Sequence, residues 1–138
     1  MSGPVFFDTN VLFYGFAEAD PRTAVAEGLL LQGGVVSVQV LNELVSAVRR
    51  KLKMSWDEVR RVIDETLLVC PNPRPLRLET HRSALRICSR YGFGVYDGLI
   101  IASALEAGCA ILYTEDLQHG QTVEGLRIEN PFLDATAP

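Results

Sequence analysis

The chain has 138 residues, of which 48 % are hydrophobic and 22 % are charged, and its net charge is −4. This length fits one domain that needs no disulfides, so we expect a single domain over residues 1–138 with a short C-terminal tail from about residue 133. No apolar stretch approaches the roughly 18 residues of a transmembrane helix, and the N-terminus lacks the basic region of a signal peptide. Cys70, Cys88 and Cys109 are too widely spaced to indicate a zinc site or a disulfide framework, which favours a cytoplasmic protein without a membrane segment.

The chain alternates short apolar runs, which predict buried strands, with periodic apolar patterns, which predict helices. Asp20 followed by Pro21 is typical of a helix start. Ser55 with Glu58 three residues later forms a capping box, which starts another helix. The predicted strands span residues 5–8, 35–38, 110–113 and 126–128, and the other predicted helices span residues 11–17, 22–31, 39–52, 79–90 and 96–107.

This alternation predicts an α/β fold in which helices cover both faces of a mostly parallel sheet. In such sheets, ligand sites form at the carboxyl ends of the strands. Asp8 ends the first predicted strand, and Asp116 follows the strand over residues 110–113. We therefore expect the two carboxylates to lie at the same edge of the sheet.

Four carboxylates, Asp8, Glu43, Asp97 and Asp116, stand next to or inside apolar segments. A carboxylate in apolar surroundings is unfavourable unless something compensates its charge. Four that converge would repel one another and would require a divalent cation. Such a cation can activate water and stabilise an in-line displacement at phosphorus. The sequence thus favours a magnesium- or manganese-dependent enzyme acting on phosphate esters.

Each carboxylate also has a purely structural interpretation. Asp8 could cap the helix that follows it, Asp97 could be a first-turn acid that interacts with the helix dipole, Glu43 could face solvent on its helix, and Asp116 could be a turn residue. Asn10 could orient Asp8 or a bound water, or could cap a helix as a turn residue. These alternatives stay open at the level of single residues.

Positive charge is concentrated in the middle of the chain. Residues 49–90 hold eleven Lys or Arg against five Asp or Glu, whereas the remainder holds two basic and twelve acidic residues. This separation suggests an acidic site beside a basic surface that could bind a polyanion. Solvated helix faces with local ion pairs are the alternative for any one of these side chains.

Several strings of the chain together resemble a PIN-domain nuclease, and more narrowly the VapC-type toxins of prokaryotic toxin–antitoxin pairs. They are VFFDTNVL, the NE within VLNELV, VYDGLIIASALEAGCAILYTEDLQHG and LRIENPF. The resemblance covers residues from about 5 to about 132. It implies a PIN-like three-layer α/β/α sandwich around a central, mostly parallel sheet.

The resemblance also implies an activity, a cofactor and partners. The activity is that of an endoribonuclease dependent on Mg²⁺ or Mn²⁺, and the partners are a small antitoxin and a second copy of the chain. It assigns catalysis and metal binding to Asp8, Glu43, Asp97 and Asp116, with Asn10 and Thr114 as supporting residues. The basic side chains that could contact the RNA phosphates are Arg49, Arg50, Lys51, Arg82 and Arg86.

Two other functions would require different sequence features, and a third stays open. A phosphate-accepting receiver domain would need a lysine after a late strand, but the lysines are Lys51 and Lys53 alone. A phosphatase of the haloacid dehalogenase type would need a second Asp where Asn10 stands. A catalytically weak PIN-like module that binds nucleic acid or serves as a scaffold stays open, because turnover depends on the placement of the catalytic groups.

Overall fold

The computed structural model of the chain describes residues 3–135, which form six helices and a four-stranded sheet. Residues 1, 2 and 136–138 lie outside the described residues, and with them the end of the predicted C-terminal tail. Between residues 3 and 135, no helix is long and apolar enough to cross a membrane. The strands are β1 (Val5–Phe7), β2 (Ile111–Tyr113), β3 (Thr122–Val123) and β4 (Leu126–Glu129), and the helices are α1 (Thr9–Phe16), α2 (Arg22–Leu31), α3 (Val38–Lys51), α4 (Trp56–Val69), α5 (Leu78–Tyr91) and α6 (Val95–Glu106).

The sheet has the order β1-β2-β4-β3, with β1, β2 and β4 parallel and β3 antiparallel to β4. Phe7 pairs with Tyr113, and Tyr113 pairs with Glu129. The three parallel strands therefore end level with one another. Asp8 and Thr114, the residues after β1 and β2, are consequently neighbours at the carboxyl edge of the sheet.

Helices cover both faces of the sheet, as the sequence predicts. Successive side chains on a strand point to opposite faces, and both Phe6 and Phe7 are fully buried. Helix α1 packs against α2 and α3, while α5 packs along α6, which contacts β4. The predicted three-layer α/β/α architecture with a mostly parallel central sheet is thus confirmed.

The predicted helices are confirmed to within one or two residues, and side-chain caps mark the starts of α1, α3 and α4. In α2 the N-cap is Pro21, without a side-chain cap, and Asp20 instead accepts a hydrogen bond from the backbone of Arg22. Ser55 and Glu58 form the expected capping box at the start of α4. The strand predicted over residues 35–38 is wrong, because Ser37 accepts a hydrogen bond from the backbone of Val40 and caps α3. Only isolated bridges remain in this extended segment, from Val35 to β1 and from Ser37 to Arg74. The two-residue strand β3 was not predicted, because it is too short to show a pattern.

Helices α5 and α6 approach closely at Gly98, one residue after Asp97. A Cβ atom on Gly98 would collide with Sγ of Cys88 and would lie 3.0 Å from the carbonyl oxygen of Ala84. The absence of a side chain at this position lets the first turn of α6 pack directly on α5. The position of the Asp97 backbone therefore depends on a glycine.

We expect Gly98→Ala to lower the free energy of unfolding by about 1–3 kcal/mol, because the added methyl group overpacks the contact between α5 and α6. Urea denaturation followed by circular dichroism measures this change. Gly28→Ala on α2 is the matched control, since no atom lies within 4 Å of its added Cβ. That variant should gain up to about 1 kcal/mol from helix propensity. Equal stability of Gly98→Ala and the wild type would contradict the close packing.

Candidate active site

The buried carboxylate of Asp8 lies at the carboxyl edge of the sheet, where β1 passes into α1. Asp8 is only 5 % exposed. One side-chain oxygen, Oδ1, accepts a hydrogen bond of 2.7 Å from the backbone of Thr9, so Asp8 does cap α1. The other, Oδ2, accepts one of 2.7 Å from the hydroxyl of Thr114. The helix-capping interpretation of Asp8 is therefore correct. The same side chain also belongs to a larger polar cluster.

Thr114 connects Asp8 with Asn10 and Asp116. Its hydroxyl donates to Asp8 and accepts from the side-chain amide of Asn10 at 3.3 Å and from the backbone of Asp116 at 3.1 Å. This uses the one proton and both lone pairs of the hydroxyl. The Asn10 amide also donates to Oδ2 of Asp116 at 3.2 Å, and the backbone of Glu115 donates to Asn10 Oδ1 at 3.3 Å. The start of α1 is thus joined to the segment after β2.

Glu43 reaches the same cluster from α3. Its side chain accepts a hydrogen bond of 3.4 Å from the Thr9 hydroxyl and one of 2.9 Å from the amide of Gln39. Glu43 is therefore partly buried and contacts α1, rather than simply facing solvent on its helix. Its carboxylate is held on the side of α3 that faces α1.

Asp97 stands in the first turn of α6 and is half-buried. Burial raises the pKa of its carboxyl, and the charges of Asp116 and Glu43 raise it further. Asp97 therefore lies within electrostatic reach of two other members of the predicted set. The structure brings all four predicted carboxylates to one region, although Asp97 shares no direct hydrogen bond with the others among the contacts of residues 3–135.

The pKa of Asp8 is raised to about 6. Burial is the largest cause, and the negative charges of Asp116 and Glu43 add to it. The hydrogen bonds from Thr114 and Thr9 act in the opposite direction, because they stabilise the ionised form. The cluster therefore carries more negative charge than its surroundings compensate at neutral pH.

A cavity of about 360 Å³ opens over this cluster. Asn10, Glu43 and Asp116 line it on one side, and Arg50 and Lys51 contribute positive charge from the end of α3. Asp8 is buried and does not line the cavity. An anionic ligand in this cavity would be repelled by the carboxylates and attracted by the two basic side chains.

The donor set suits a hard divalent cation. All predicted ligands are carboxylate oxygens, and Mg²⁺ needs only one or two of them because it retains water and binds substrate phosphates. Among residues 3–135, no three His, Cys, Asp or Glu side chains are already arranged to hold a metal ion. Negatively charged carboxylates repel one another when no cation lies between them, so some separation of these side chains is expected. The chemistry of the ligands fits the predicted metal, although the carboxylates do not form a compact ligand set in advance.

The basic residues predicted to contact RNA fall into two groups. Arg50 and Lys51 line the cavity, and Arg49 stands beside them with its guanidinium over the ring of Trp56. Arg82 and Arg86 lie on α5 and do not line the cavity. Arg86 makes two hydrogen bonds with Glu124, of 2.8 and 3.1 Å. Its charge is therefore partly compensated within the chain.

A polar network that local sequence pattern did not indicate holds Glu115, the neighbour of Asp116. Glu115 accepts a hydrogen bond of 2.5 Å from the hydroxyl of Tyr14 and pairs with Arg22 at 3.2 Å. Arg22 also lies over the Tyr14 ring, 4.0 Å from its centre, and pairs with Asp20 at 2.9 Å. Helical spacing could have revealed part of this network, because Tyr14 follows Asn10 by four residues and shares its face of α1.

Comparisons with known proteins agree with this architecture. A family model described as the PIN domain matches residues 5–124. No curated protein sequence matches the chain. Three similar solved structures are under 25 % identical to the chain and show a shared fold.

The first similar structure is that of Mycobacterium tuberculosis VapC20, described as a Sarcin-Ricin loop cleaving toxin, with a TM-score of 0.65 and 16 % identity over 81 % of this chain and 91 % of that one. The second is a toxin–antitoxin complex from Klebsiella pneumoniae, with a TM-score of 0.70 and 17 % identity over 92 % and 97 % of the two chains. The third is VapBC2 from Rickettsia felis bound to a DNA fragment from their promoter, with a TM-score of 0.64 and 19 % identity over 91 % and 97 %.

The raised pKa of Asp8 predicts a pH-dependent stability. Because the pKa is higher in the folded chain than the roughly 3.9 of an unfolded Asp, the associated stabilisation is present below about pH 4 and is lost as the pH rises to about 6. In EDTA, we expect the free energy of unfolding of the wild type to fall by about 3 kcal/mol over this range relative to Asp8→Asn. Urea denaturation at several pH values measures the difference. Parallel curves for the two proteins would show that Asp8 ionises normally.

The hydrogen bond between Tyr14 and Glu115 predicts a coupled loss of stability. Tyr14→Phe should lower the free energy of unfolding by about 1–2 kcal/mol, and Glu115→Ala should cost less in that background than in the wild type. A double-mutant cycle by urea denaturation gives the coupling energy. Tyr96→Phe is the control, since Tyr96 is 64 % exposed and should leave stability unchanged. Additive effects of the two substitutions would exclude the contact.

Proposed function

Because this chain belongs to the PIN-domain family, we propose that it is an endoribonuclease dependent on Mg²⁺ or Mn²⁺ and the toxin of a type II toxin–antitoxin pair. The observation that supports the proposal is the proximity of four carboxylates: Glu43 and Asp116 line one cavity, and their charges raise the pKa of both Asp8 and Asp97. Asn10 and Thr114 connect Asp8 with Asp116 by hydrogen bonds. The relatives supply the substrate class and the partner. VapC20 is described as a toxin that cleaves the sarcin-ricin loop, and two other similar structures are toxin–antitoxin assemblies.

Asp8, Glu43, Asp97 and Asp116 would hold the cation, together with water and an oxygen of the scissile phosphate. When bound, the cation favours ionisation of the attacking water and stabilises negative charge on the phosphate oxygens. Thr114 keeps Asp8 oriented, since its hydroxyl donates to one oxygen of that carboxylate. Asn10 does the same for Asp116 through its amide.

The proposed reaction is hydrolysis of an RNA phosphodiester. Water attacks phosphorus in line with the leaving 3′ oxygen, the P–O3′ bond breaks, and the products are a 3′-hydroxyl and a 5′-phosphate. The carboxylate cluster would accept the proton of the attacking water as the new P–O bond forms. Arg50 and Lys51 would bind the adjacent phosphates at the side of the cavity.

The proposal includes partners and a location. A small antitoxin would inhibit the enzyme, and two copies of the chain would form a dimer, as the resemblance to VapC-type toxins implies. Unpaired loops are the favoured RNA targets, because their bases are accessible to a protein. We place the protein in the cytoplasm, where cellular RNA is available.

Cleavage of a pool of structured cellular RNAs by the purified chain tests the proposal. We expect discrete cuts with Mg²⁺ or Mn²⁺ and none with EDTA. Asp97→Asn should reduce the rate at least about 100-fold, because it removes a cation ligand and one carboxylate of the cluster. Asp64→Asn on the exposed side of α4 makes the same change of charge away from the cavity and should cleave like the wild type.

A thermal unfolding series separates loss of metal binding from misfolding. Mn²⁺ should raise the unfolding midpoint of the wild type and of Asp64→Asn more than that of Asp97→Asn, since ligand binding stabilises the folded state. Wild-type cleavage by Asp97→Asn would refute the assignment of the site. A folded, metal-binding protein without any cleavage, once a co-purified inhibitor has been removed, would favour the catalytically weak binding module instead.

A further inference from the structure

A second surface lies beside the carboxylate cavity, where α3 ends and α4 begins. Trp56 is the chain's single tryptophan and the first residue of α4, yet it is 56 % exposed. The guanidinium of Arg49 lies 4.4 Å from the ring centre and donates a hydrogen bond of 2.8 Å to the carbonyl of Met54. An indole held by a cation and still largely open to solvent is a platform that a second flat group can stack on.

The surroundings of Trp56 are basic. An open groove of about 610 Å³ beside the ring is lined by Arg49, Arg50 and Lys53, and no acidic side chain contributes to its lining. The two acids that follow Trp56 in sequence are engaged elsewhere. Asp57 pairs with Arg60 at 2.8 Å, and Glu58 accepts a hydrogen bond of 2.9 Å from the backbone of Ser55. The groove therefore combines an aromatic face with uncompensated positive charge.

This groove is continuous with the carboxylate cavity. Ser46 and Arg50 line both of them. Glu43, Ser46 and Arg50 follow one another at helical spacing on α3, so Glu43 and Arg50 lie about 10 Å apart along the helix axis. A single extended strand of nucleic acid can therefore contact both.

We propose that Trp56 stacks on an unpaired base of the RNA substrate while Arg49, Arg50 and Lys53 bind the phosphates beside that base. This inference rests on the proposed function, since it places the groove on the same RNA strand as the scissile phosphate. Aromatic and basic side chains together are the usual means of binding single strands. Bases within a duplex are already stacked on each other, so the platform selects unpaired RNA.

Tryptophan fluorescence, excited selectively over the tyrosines, reports on Trp56 alone because the chain has a single tryptophan. In EDTA, where cleavage is blocked, a single-stranded RNA oligonucleotide should quench this fluorescence in a saturable way, and the same sequence as a duplex should not. Fluorescence anisotropy of labelled RNA measures affinity in parallel. Trp56→Ala should weaken binding of the single strand about 5- to 100-fold, the range for losing one stacked base.

Matched variants separate stacking from general effects. Trp56→Phe retains an aromatic face and should bind within about 3-fold of the wild type, whereas Leu68→Ala, which truncates a side chain that is 82 % exposed on α4, should leave affinity unchanged. Arg50→Gln should lower the slope of log affinity against log salt by about one. Circular dichroism checks that each variant is folded.

The outcomes distinguish this inference from the proposed function. If the wild type cleaves RNA but RNA neither quenches Trp56 nor binds Trp56→Ala more weakly, the stacking site is refuted and the nuclease stands. If quenching and weaker binding occur but no metal-dependent cleavage does, the groove stands and the nuclease is refuted. If Trp56→Ala instead disrupts a dimer in light scattering while RNA affinity is unchanged, the surface is a protein contact and the inference is overturned.

Discussion

The buried carboxylate of Asp8 is the constraint on which the rest of the site depends. Burying an ionised carboxyl is unfavourable unless hydrogen bonds or opposite charge compensate it. Here the backbone of Thr9 and the hydroxyl of Thr114 each donate one short hydrogen bond to it. Because Thr114 is more than one hundred residues away in sequence, this compensation exists only when β1 and β2 lie side by side. Folding of the sheet and assembly of the site are therefore the same event.

The two hydrogen bonds compensate the burial of the Asp8 carboxylate only in part, since its pKa is still raised. Asp116 and Glu43 raise the pKa of Asp8, and Asp116 and Glu43 also raise that of Asp97. A fold selected for stability alone would not gather like charges around a buried acid. Functional sites often retain such unfavourable electrostatics, because the same charges bind a cation or move a proton. The neighbouring network of Tyr14, Arg22 and Glu115 shows the opposite arrangement, in which a carboxylate meets a hydroxyl and a guanidinium.

The basic residues divide by their partners. Arg50 and Lys51 face the cavity, and Arg49 stacks on Trp56, so the end of α3 presents positive charge toward a polyanion. On α5, Arg86 is paired with Glu124 inside the chain. The basic residues in the middle of the sequence thus form two surfaces. One is suited to nucleic acid, and in the other Arg86 is paired with an acid of the same chain. Counting charges along the sequence cannot distinguish these two surfaces, because the count does not show which acidic side chains pair with which basic ones in the folded chain.

Local pattern was enough for the sequence to predict the helices, the three parallel strands and the α/β architecture, since capping residues and apolar periodicity act over a few neighbours. It also indicated the four carboxylates, because acids beside buried strands and in apolar helices are unfavourable unless something compensates their charge. It failed at Val35–Ser37, where Ser37 caps a helix and single bridges replace a strand, and at β3. Only the tertiary structure decided that Thr114 links Asp8, Asn10 and Asp116, that Glu43 joins through Thr9, and that Trp56 stands beside Arg49 next to the cavity. Those contacts join residues from separate elements, and their distances follow from strand register and helix packing, which no local pattern records.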